Sequence, residues 1–413
     1  SDRESCSIPE PSTVHTGPMD PIEISVATED DFEEMLVFDG VTFGDPWPEN
    51  MAELVRPTLD LDRFRVARDG SRLVGVAGVY SQELTVPGGA QVGAGGVTWV
   101  AVAPTHRRRG LLTRLMGELH ADIDRRSEPI SMLTASEGGI YERFGYGVAS
   151  YERIVEIDSR RTNVRPEFRP APGEVVLTTL DDDALPELHD RYRKQRVGEI
   201  DRTPERNALV ASHLGAGVVV ARHADGFASW KVTANWNSGH PLHRLDLYDV
   251  VAITPEAHAA LWHTVLSVDL VGPIRTHRGV ASDDALPYVV DDPRAIRTTN
   301  LNDMLWLHLR DPRTALGART YSTNDRLVLE LEVGDHSERL RIDGDPGGGD
   351  VKKVRSRPDV SLGPAALGAI YLGGVRPSVL ARGGRLVAKN DDVLRRADAF
   401  FMADRLPHCI TGF

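Results

Sequence analysis

Three consecutive arginines and a glycine, Arg107, Arg108, Arg109 and Gly110, sit inside the stretch VAPTHRRRGLLTRLM (102–116). An apolar, strand-like run ends at Pro104 just before them, and apolar residues at helical spacing follow. The first turn of a helix has unpaired N–H groups and the positive end of the backbone dipole. Arginine adds charge and paired donors suited to phosphate. Glycine lets an anion approach the backbone without a side chain in the way. This order of residues therefore predicts a phosphate-binding turn; the competing reading is a solvated basic helix start. It is not a P-loop, because Gly-Lys-Ser/Thr is missing, and its glycine spacing is not the dinucleotide fingerprint.

A second group of chemically capable residues lies in ASEGGIYERFGYG (135–147), where Tyr141 and Tyr146 flank ERFG. The run WVAVAPTHRRRGLL (99–112) resembles the acyl-CoA loop of the GCN5-related N-acetyltransferases, with a leucine where a second glycine or alanine is common in that family. Taken with ASEGGIYERFGYG and the C-terminal phenylalanine, it is similar to the enhanced intracellular survival (Eis) aminoglycoside acetyltransferases. The resemblance implies acetyl-CoA as cosubstrate. Val100, Ala101 and Val102 would face pantetheine, Arg107, Arg108, Arg109, Gly110, Leu111, Leu112 and Thr113 would hold the pyrophosphate, and Ser136 and Glu137 would contact the CoA arm. It also implies Tyr141 as general acid and the Phe413 carboxylate as general base, with Phe43 and Asp45 of TFGDPW in the substrate pocket. Asp45, before a proline, also reads as an ordinary turn residue, and Tyr146 as a packing residue. Gly412 stands where an acidic residue can precede the terminal phenylalanine in the family. The implied substrates are polycationic small-molecule amines in a wide, acidic pocket, and the implied assembly is a homo-hexamer. Acetyl transfer to an amine requires a base for the ammonium, donors for the oxyanion and a proton for the thiolate. A tyrosine and a carboxylate can supply the acid and the base.

These groups need positioning elements, and the pattern of the chain supplies them as an α+β layout. IEISVAT alternates like a strand, and Thr28 with Asp31 forms a capping box for the helix that follows. RFRVARDGSRLVGVAGVY reads as two strands around an Asp-Gly turn, and AGGVTWVAV as a third strand. Leu111, Leu112, Leu115, Met116 and Leu119 mark a helix, and two further strands follow. After the proline-rich TNVRPEFRPAPGEVV the pattern partly repeats. VAITPEAHAALWHTVL echoes the strand–proline–helix run without its arginines or glycine, as a degenerate internal duplication would. From about residue 298 an alternating hairpin and three helical segments form a smaller α+β unit, which the resemblance identifies as sterol-carrier-protein-like. Its GDPGGGD run is expected to be a flexible loop, not a phosphate cradle. The expected division is a disordered tail at 1–21, a catalytic acetyltransferase unit at 22–163, a degenerate copy at 164–297 and the third unit at 298–413.

The 413 residues carry a formal net charge of -13. That acidity disfavours nucleic acid as a partner. No apolar run approaches the roughly 18 residues of a membrane span. The two cysteines, Cys6 and Cys409, form no disulfide framework, and no signal peptide is seen, so the cytoplasm is the expected compartment. No His/Cys/Asp cluster has metal-ligand spacing, although His106 and His120 lie near the loop and helix, so no metal is expected. GxSxG is absent. Acetylation of protein lysines or polyamines is an alternative activity. A lipid- or partner-binding scaffold is an alternative of another class. Retention of the arginines, Gly110 and Tyr141 in the first copy alone favours a working site there.

Overall fold

The computed structural model describes residues 22–48, 51–334 and 336–413; the expected tail at 1–21, with Cys6, lies outside the described residues. Three sheets organise the chain. The first contains β1 (Glu23–Val26), β2 (Arg65–Asp69), β3 (Arg72–Thr85), β4 (Gln91–Val102), β5 (Ile130–Thr134) and β6 (Gly147–Val148). Helix α1 (Phe32–Phe43) follows β1, and α2 (Leu111–Arg125) joins β4 to β5. The capping box forms as its spacing predicts: the Thr28 N–H donates to Asp31 Oδ2 at 2.8 Å.

Leu111, Leu115, Met116, Leu119 and Ile123 of α2 are buried against the first sheet. Each such burial stabilises by roughly 1.5–3 kcal/mol, so the helix, and with it the basic turn at its start, has a fixed seat. Arg63, fully buried, pins the far end of the helix by donating to Asp122 at 3.0 Å and to both oxygens of Glu128 at 2.7 and 2.6 Å.

The second sheet comprises β7 (Tyr151–Asp158), β8 (Val176–Thr178), β9 (Val218–His223), β10 (Gly226–Thr233), β13 (His243–Ala252), β14 (Val271–Thr276) and β15 (Ile296–Asp303); β11 (Trp236–Asn237) and β12 (His240–Pro241) form a small separate ribbon. Helices α3 (Leu185–Arg193) and α4 (Pro204–Leu214) precede β9, and α5 (Pro255–Leu266) joins the parallel pair β13 and β14. That connection repeats β4–α2–β5, as the echoing sequence predicts. The third sheet has the order β19-β18-β17-β20-β21, from β17 (Asp325–Val333), β18 (His336–Asp345), β19 (Gly348–Lys353), β20 (Val360–Leu362) and β21 (Leu386–Ala388). The GDPGGGD run is a hairpin turn, not an open loop: Asp345 pairs with Gly348, leaving Pro346 and Gly347 as its two-residue connection.

Three strands, β7, β15 and a further one, cross the divisions expected at 163 and 297. β7 pairs with β15 and β14 in the second sheet, while β16 (Leu305–Leu309) lies in the first sheet between β5 and β6. The apolar β16 thereby covers an edge that β5 would otherwise leave unpaired. Periodicity identifies these strands but not their partners. The exchange and the shared cluster joining Leu84, Met132, Leu307 and Leu367 tie the units together around one cleft.

Candidate active site

The cleft opens where two strands part. β4 and β5 run parallel and pair only over Ala94–Gly96 and Ile130–Met132. Beyond Gly96 the β4 backbone, including Val100, Ala101 and Val102, lines a cavity of about 1470 Å³. A bulge in β4 lies opposite Ala77, between the pairs Thr98–Gly78 and Ala101–Val76. Trp99 sits within it at φ 53°, a left-handed backbone that costs of order 1–3 kcal/mol in a non-glycine residue. Stacking on Trp47 (6.1 Å between ring centres) and the edge of Phe64 (5.9 Å) hold it there. Nothing in VTWVAV announces the bulge.

The basic turn occupies one end of the cavity. Arg108 has φ 62° and Gly110, which caps α2, has φ 77°. A Cβ on Gly110 would meet nothing within 4 Å, so glycine is needed for the backbone conformation. His106, largely buried but on the cavity lining, bonds Asp69 at 3.0 Å and Thr105 at 2.8 Å. Arg107, Arg108, Gly110, Leu111, Leu112 and Thr113 line the cavity; Arg109 does not. The turn therefore presents two of its three arginines, with the start of a 15-residue helix behind them.

Ser136, Glu137 and Tyr141 line the same space. Tyr141 is 9% exposed. Burial, with the nearby Glu137 charge, pushes its hydroxyl above the ordinary tyrosine value. Tyr146 is wholly buried and outside the lining; its hydroxyl bonds Ser131 at 2.6 Å and His120 at 2.9 Å. It packs edge-on against Tyr141 at 6.2 Å, so it supports the ring that reaches the cavity.

The chain's last residues, 406–413, run between the first two units as a strap. The Leu406 N–H donates to Asp283 and its carbonyl accepts from Arg196; the His408 N–H donates to Val197 O. Glu199 then accepts from the Ile410 N–H at 2.8 Å, and Arg202 donates to Thr411 at 2.7 Å and pairs with Asp249 at 3.0 Å. Burial works to raise the Glu199 carboxyl, but His189, Arg202 and the Ile410 N–H outweigh it and hold it at about 2. His189 is itself kept below its ordinary value by burial and by Arg202, so Arg202 supplies the balancing charge. Arg206 donates to Gly412 O. Phe413 then enters the cavity, its oxygen within 3.4 Å of the Thr134 hydroxyl.

Of the two residues expected in the substrate pocket, Phe43 lines the cavity but Asp45 does not: it stands exposed past the end of α1. The carboxylate that does reach the cavity is Asp39, one helical turn before Phe43 and so on the same face of α1. It is 8% exposed and accepts from Trp47 Nε1 at 3.0 Å. Burial raises it to about 6, against the pull of the Trp47 N–H. The spacing of Asp39 and Phe43 was available in the sequence as its signal. The opposite wall comes from the second unit and includes Arg202, Arg206, Tyr248, Asp249 and Arg278. Sequence reasoning missed this wall, because a copy without the phosphate turn reads as inert. The lining is therefore of mixed charge, not acidic as the resemblance implied. Among the described residues no group of three or more His, Cys, Asp or Glu is arranged to hold a metal, and no helix is long and apolar enough to cross a membrane.

Comparison with known proteins places the fold in a family. Residues 23–149 and 192–320 each match a family described as an acetyltransferase (GNAT) domain, and 312–410 match a sterol carrier protein domain. An uncharacterized N-acetyltransferase of Streptomyces coelicolor is 36% identical over 90% of this chain and 94% of its own length. N-acetyltransferase Eis of Mycobacterium tuberculosis is 33% identical over 91% of this chain and 96% of its own. The crystal structure of Eis1 from Mycobacterium abscessus superposes with a TM-score of 0.84 at 33% identity, covering 95% of this chain and all of that one. With two acetyltransferase folds, a sterol-carrier-like domain and near full-length identity to these relatives, the chain belongs to the Eis family of N-acetyltransferases.

Proposed function

We propose that the protein transfers an acetyl group from acetyl-CoA to a primary amine of a small molecule, with Phe413 as base and Tyr141 as acid. The observation that carries this reading is that the chain's own terminus and the Tyr141 hydroxyl line one cavity at the parting of β4 and β5. The donor substrate supplies an activated acetyl group. The backbone edge at Val100, Ala101 and Val102 is free to pair with pantetheine, and Arg107, Arg108 and the start of α2 suit the pyrophosphate. Leu111 to Thr113 and Ser136 and Glu137 complete that half.

The Phe413 carboxylate takes the proton of the acceptor ammonium, freeing the nitrogen lone pair to attack the thioester carbonyl. A new C–N bond forms as the C–S bond breaks, Tyr141 gives its proton to the departing thiolate, and the second proton lost by the nitrogen restores Tyr141. The raised hydroxyl of Tyr141 keeps that proton available at neutral pH. Amide and free thiol are the products. Cys409 is buried and bonded within the strap, so direct transfer is favoured over a covalent acyl-enzyme.

Aminoglycosides, named for their several amines, are the first acceptors to try, with Phe43 and Asp39 on the wall that would receive them. The family resemblance further proposes a cytoplasmic homo-hexamer. The test is steady-state release of CoA thiol with aminoglycosides, spermidine and a lysine peptide, using untagged protein beside a variant lacking Phe413. Turnover that collapses in the shortened chain is expected. Turnover that survives removes the terminal base, absence of turnover with every amine despite bound acetyl-CoA points to an untried acceptor, and absence of CoA binding returns the scaffold reading.

A further inference from the structure

One side chain of the second unit grips the strap just before its end. Arg206 donates from Nη2 to Gly412 O, and its guanidinium lies over the Tyr80 ring at 5.4 Å. Its Nε is buried without a hydrogen-bond partner, so Gly412 and Tyr80 hold its head. Arg278, on whose charge Glu152 acts, also packs on Gly412: a Cβ there would stand 2.5 Å from Arg278 Nη1. Tyr80 in turn pairs with Gly96 across β3 and β4, and Gly96 is the seat of the Phe413 ring. The backbone of Arg206 is fixed as well. Its N–H donates to the Thr203 hydroxyl at the start of α4 at 3.2 Å, and Leu209 of that helix is buried in one cluster with Phe64, Val76 and Trp99 of the first unit. One guanidinium thus ties the first two units to the end of the chain.

Chain ends fray unless something holds them. Fixing a residue costs conformational entropy, and a hydrogen bond from a charged donor is of the size that offsets it. At Phe413 itself the Thr134 hydroxyl donates at 3.4 Å, long for such a bond. The charged bond nearest the terminus is the one from Arg206, one residue earlier. A carboxylate acts as base only where its oxygen reaches the acceptor's proton, so the bond that fixes Gly412 also bears on the chemistry. We propose that Arg206 is a positioning residue for the terminal base: its grip on Gly412 O, braced by Tyr80, sets where the Phe413 carboxylate stands in the cavity. This rests on the acetyltransferase reading with Phe413 as base and adds the group that holds that base in place.

Two variants of the full chain test it. Arg206→Gln removes the charge and the fork; Arg206→Lys keeps a charged donor. Arg206→Gln is expected to lower kcat by about 10–100-fold, the effect of a catalytic group displaced by about 1 Å, with the KM for acetyl-CoA and for the acceptor little moved. Arg206→Lys should recover part of that loss, and it carries the same readings should Arg206→Gln fail to fold. Carboxypeptidase reads the terminus without any acceptor: Phe413 should be released severalfold faster from Arg206→Gln than from wild type, while the thermal melt stays a single cooperative transition. A wild-type kcat, or release of Phe413 at the wild-type rate, overturns the proposal. A loss confined to acceptor KM also overturns it, because Arg206 would then be an acceptor contact. If no amine is turned over, the release of Phe413 alone decides. A chain extended by one glycine, which takes the carboxylate off Phe413, checks the base separately. Full turnover of the extended chain removes the base reading and this inference with it. An inactive extended chain beside a fully active Arg206→Gln removes this inference alone.

Discussion

The Phe413 ring rests against Gly96. A Cβ on that glycine would lie 3.1 Å from Phe413 Cε2 and 2.3 Å from Gln82 Oε1, and Gly96 is the last β4 residue paired with β5. The end of the chain is thus registered to the point where the strands part. Gly96→Ala forces the ring and Gln82 to yield, moving the carboxylate off its position. Catalytic geometry is sensitive to shifts of about 1 Å, so kcat should fall by about 10–100-fold, with no more than about 1–3 kcal/mol lost from stability. Thiol-release kinetics beside thermal melts check this. An unchanged kcat would count against a base at the terminus.

Tyr141→Phe deletes one oxygen and leaves the packing against Tyr146. If the hydroxyl is the acid, kcat should drop by about 10²–10⁴-fold with little change in either KM. Because burial and the Glu137 charge raise this hydroxyl, the protonated form persists past the ordinary tyrosine value of 10.0. A fall in kcat with rising pH that begins well below that value must then come from another group. Should Tyr141→Phe retain the wild-type rate, the acid lies elsewhere.

The basic turn, its helix and the tyrosine were legible in the sequence because each is local. Arg107, Arg108, Gly110 and Leu111 sit within one short stretch, and the pattern that buries Leu115 and Leu119 is the same one that orients the turn. What was not legible depends on pairing across long separations. β16 entering the first sheet, Arg202 meeting Asp249 and Arg278 meeting Gly412 join segments whose propensities do not refer to one another. Asp39 was hidden differently. It was readable as helical spacing from Phe43, but Asp45, in its more conspicuous turn, matched the expected motif.

The strap depends on Glu199, which is fully buried. Its carboxyl is held at about 2 in the fold against an ordinary 4.5. A lowered carboxylate contributes stability that is fully present above pH 4.5 and is lost as pH falls through about 2. Glu199→Gln leaves the Arg202 charge under-compensated and weakens the anchor of Ile410. Breaking a buried ionic cluster typically costs about 3–5 kcal/mol. The variant should melt lower at pH 7, lose most of that difference near pH 2, and release the C-terminal residues to carboxypeptidase faster than wild type. Equal melting at pH 7 would show that the strap is held by its backbone bonds alone.

Asp39 should show opposite effects on stability and binding. Burial lifts its carboxyl from 3.8 to about 6, so the folded state holds the proton more tightly than the unfolded chain does. Its ionisation therefore destabilises the fold. The penalty is absent below pH 3.8, grows as pH rises through about 6, and reaches on the order of 2–3 kcal/mol above that. Asp39→Asn keeps an oxygen for the Trp47 N–H and removes the charge. It should raise the melting temperature at pH 8 but not at pH 4. The same charge is what an acceptor ammonium would meet in the cavity. In the wild type, acceptor KM should fall as pH rises through about 6; in Asp39→Asn that pH dependence should vanish and KM at pH 8 rise roughly tenfold, the size of an exposed-to-buried charge contact. Melting curves and acceptor KM measured across this range separate the two effects. A variant that gains stability without losing acceptor affinity would make Asp39 a buried liability with no part in binding.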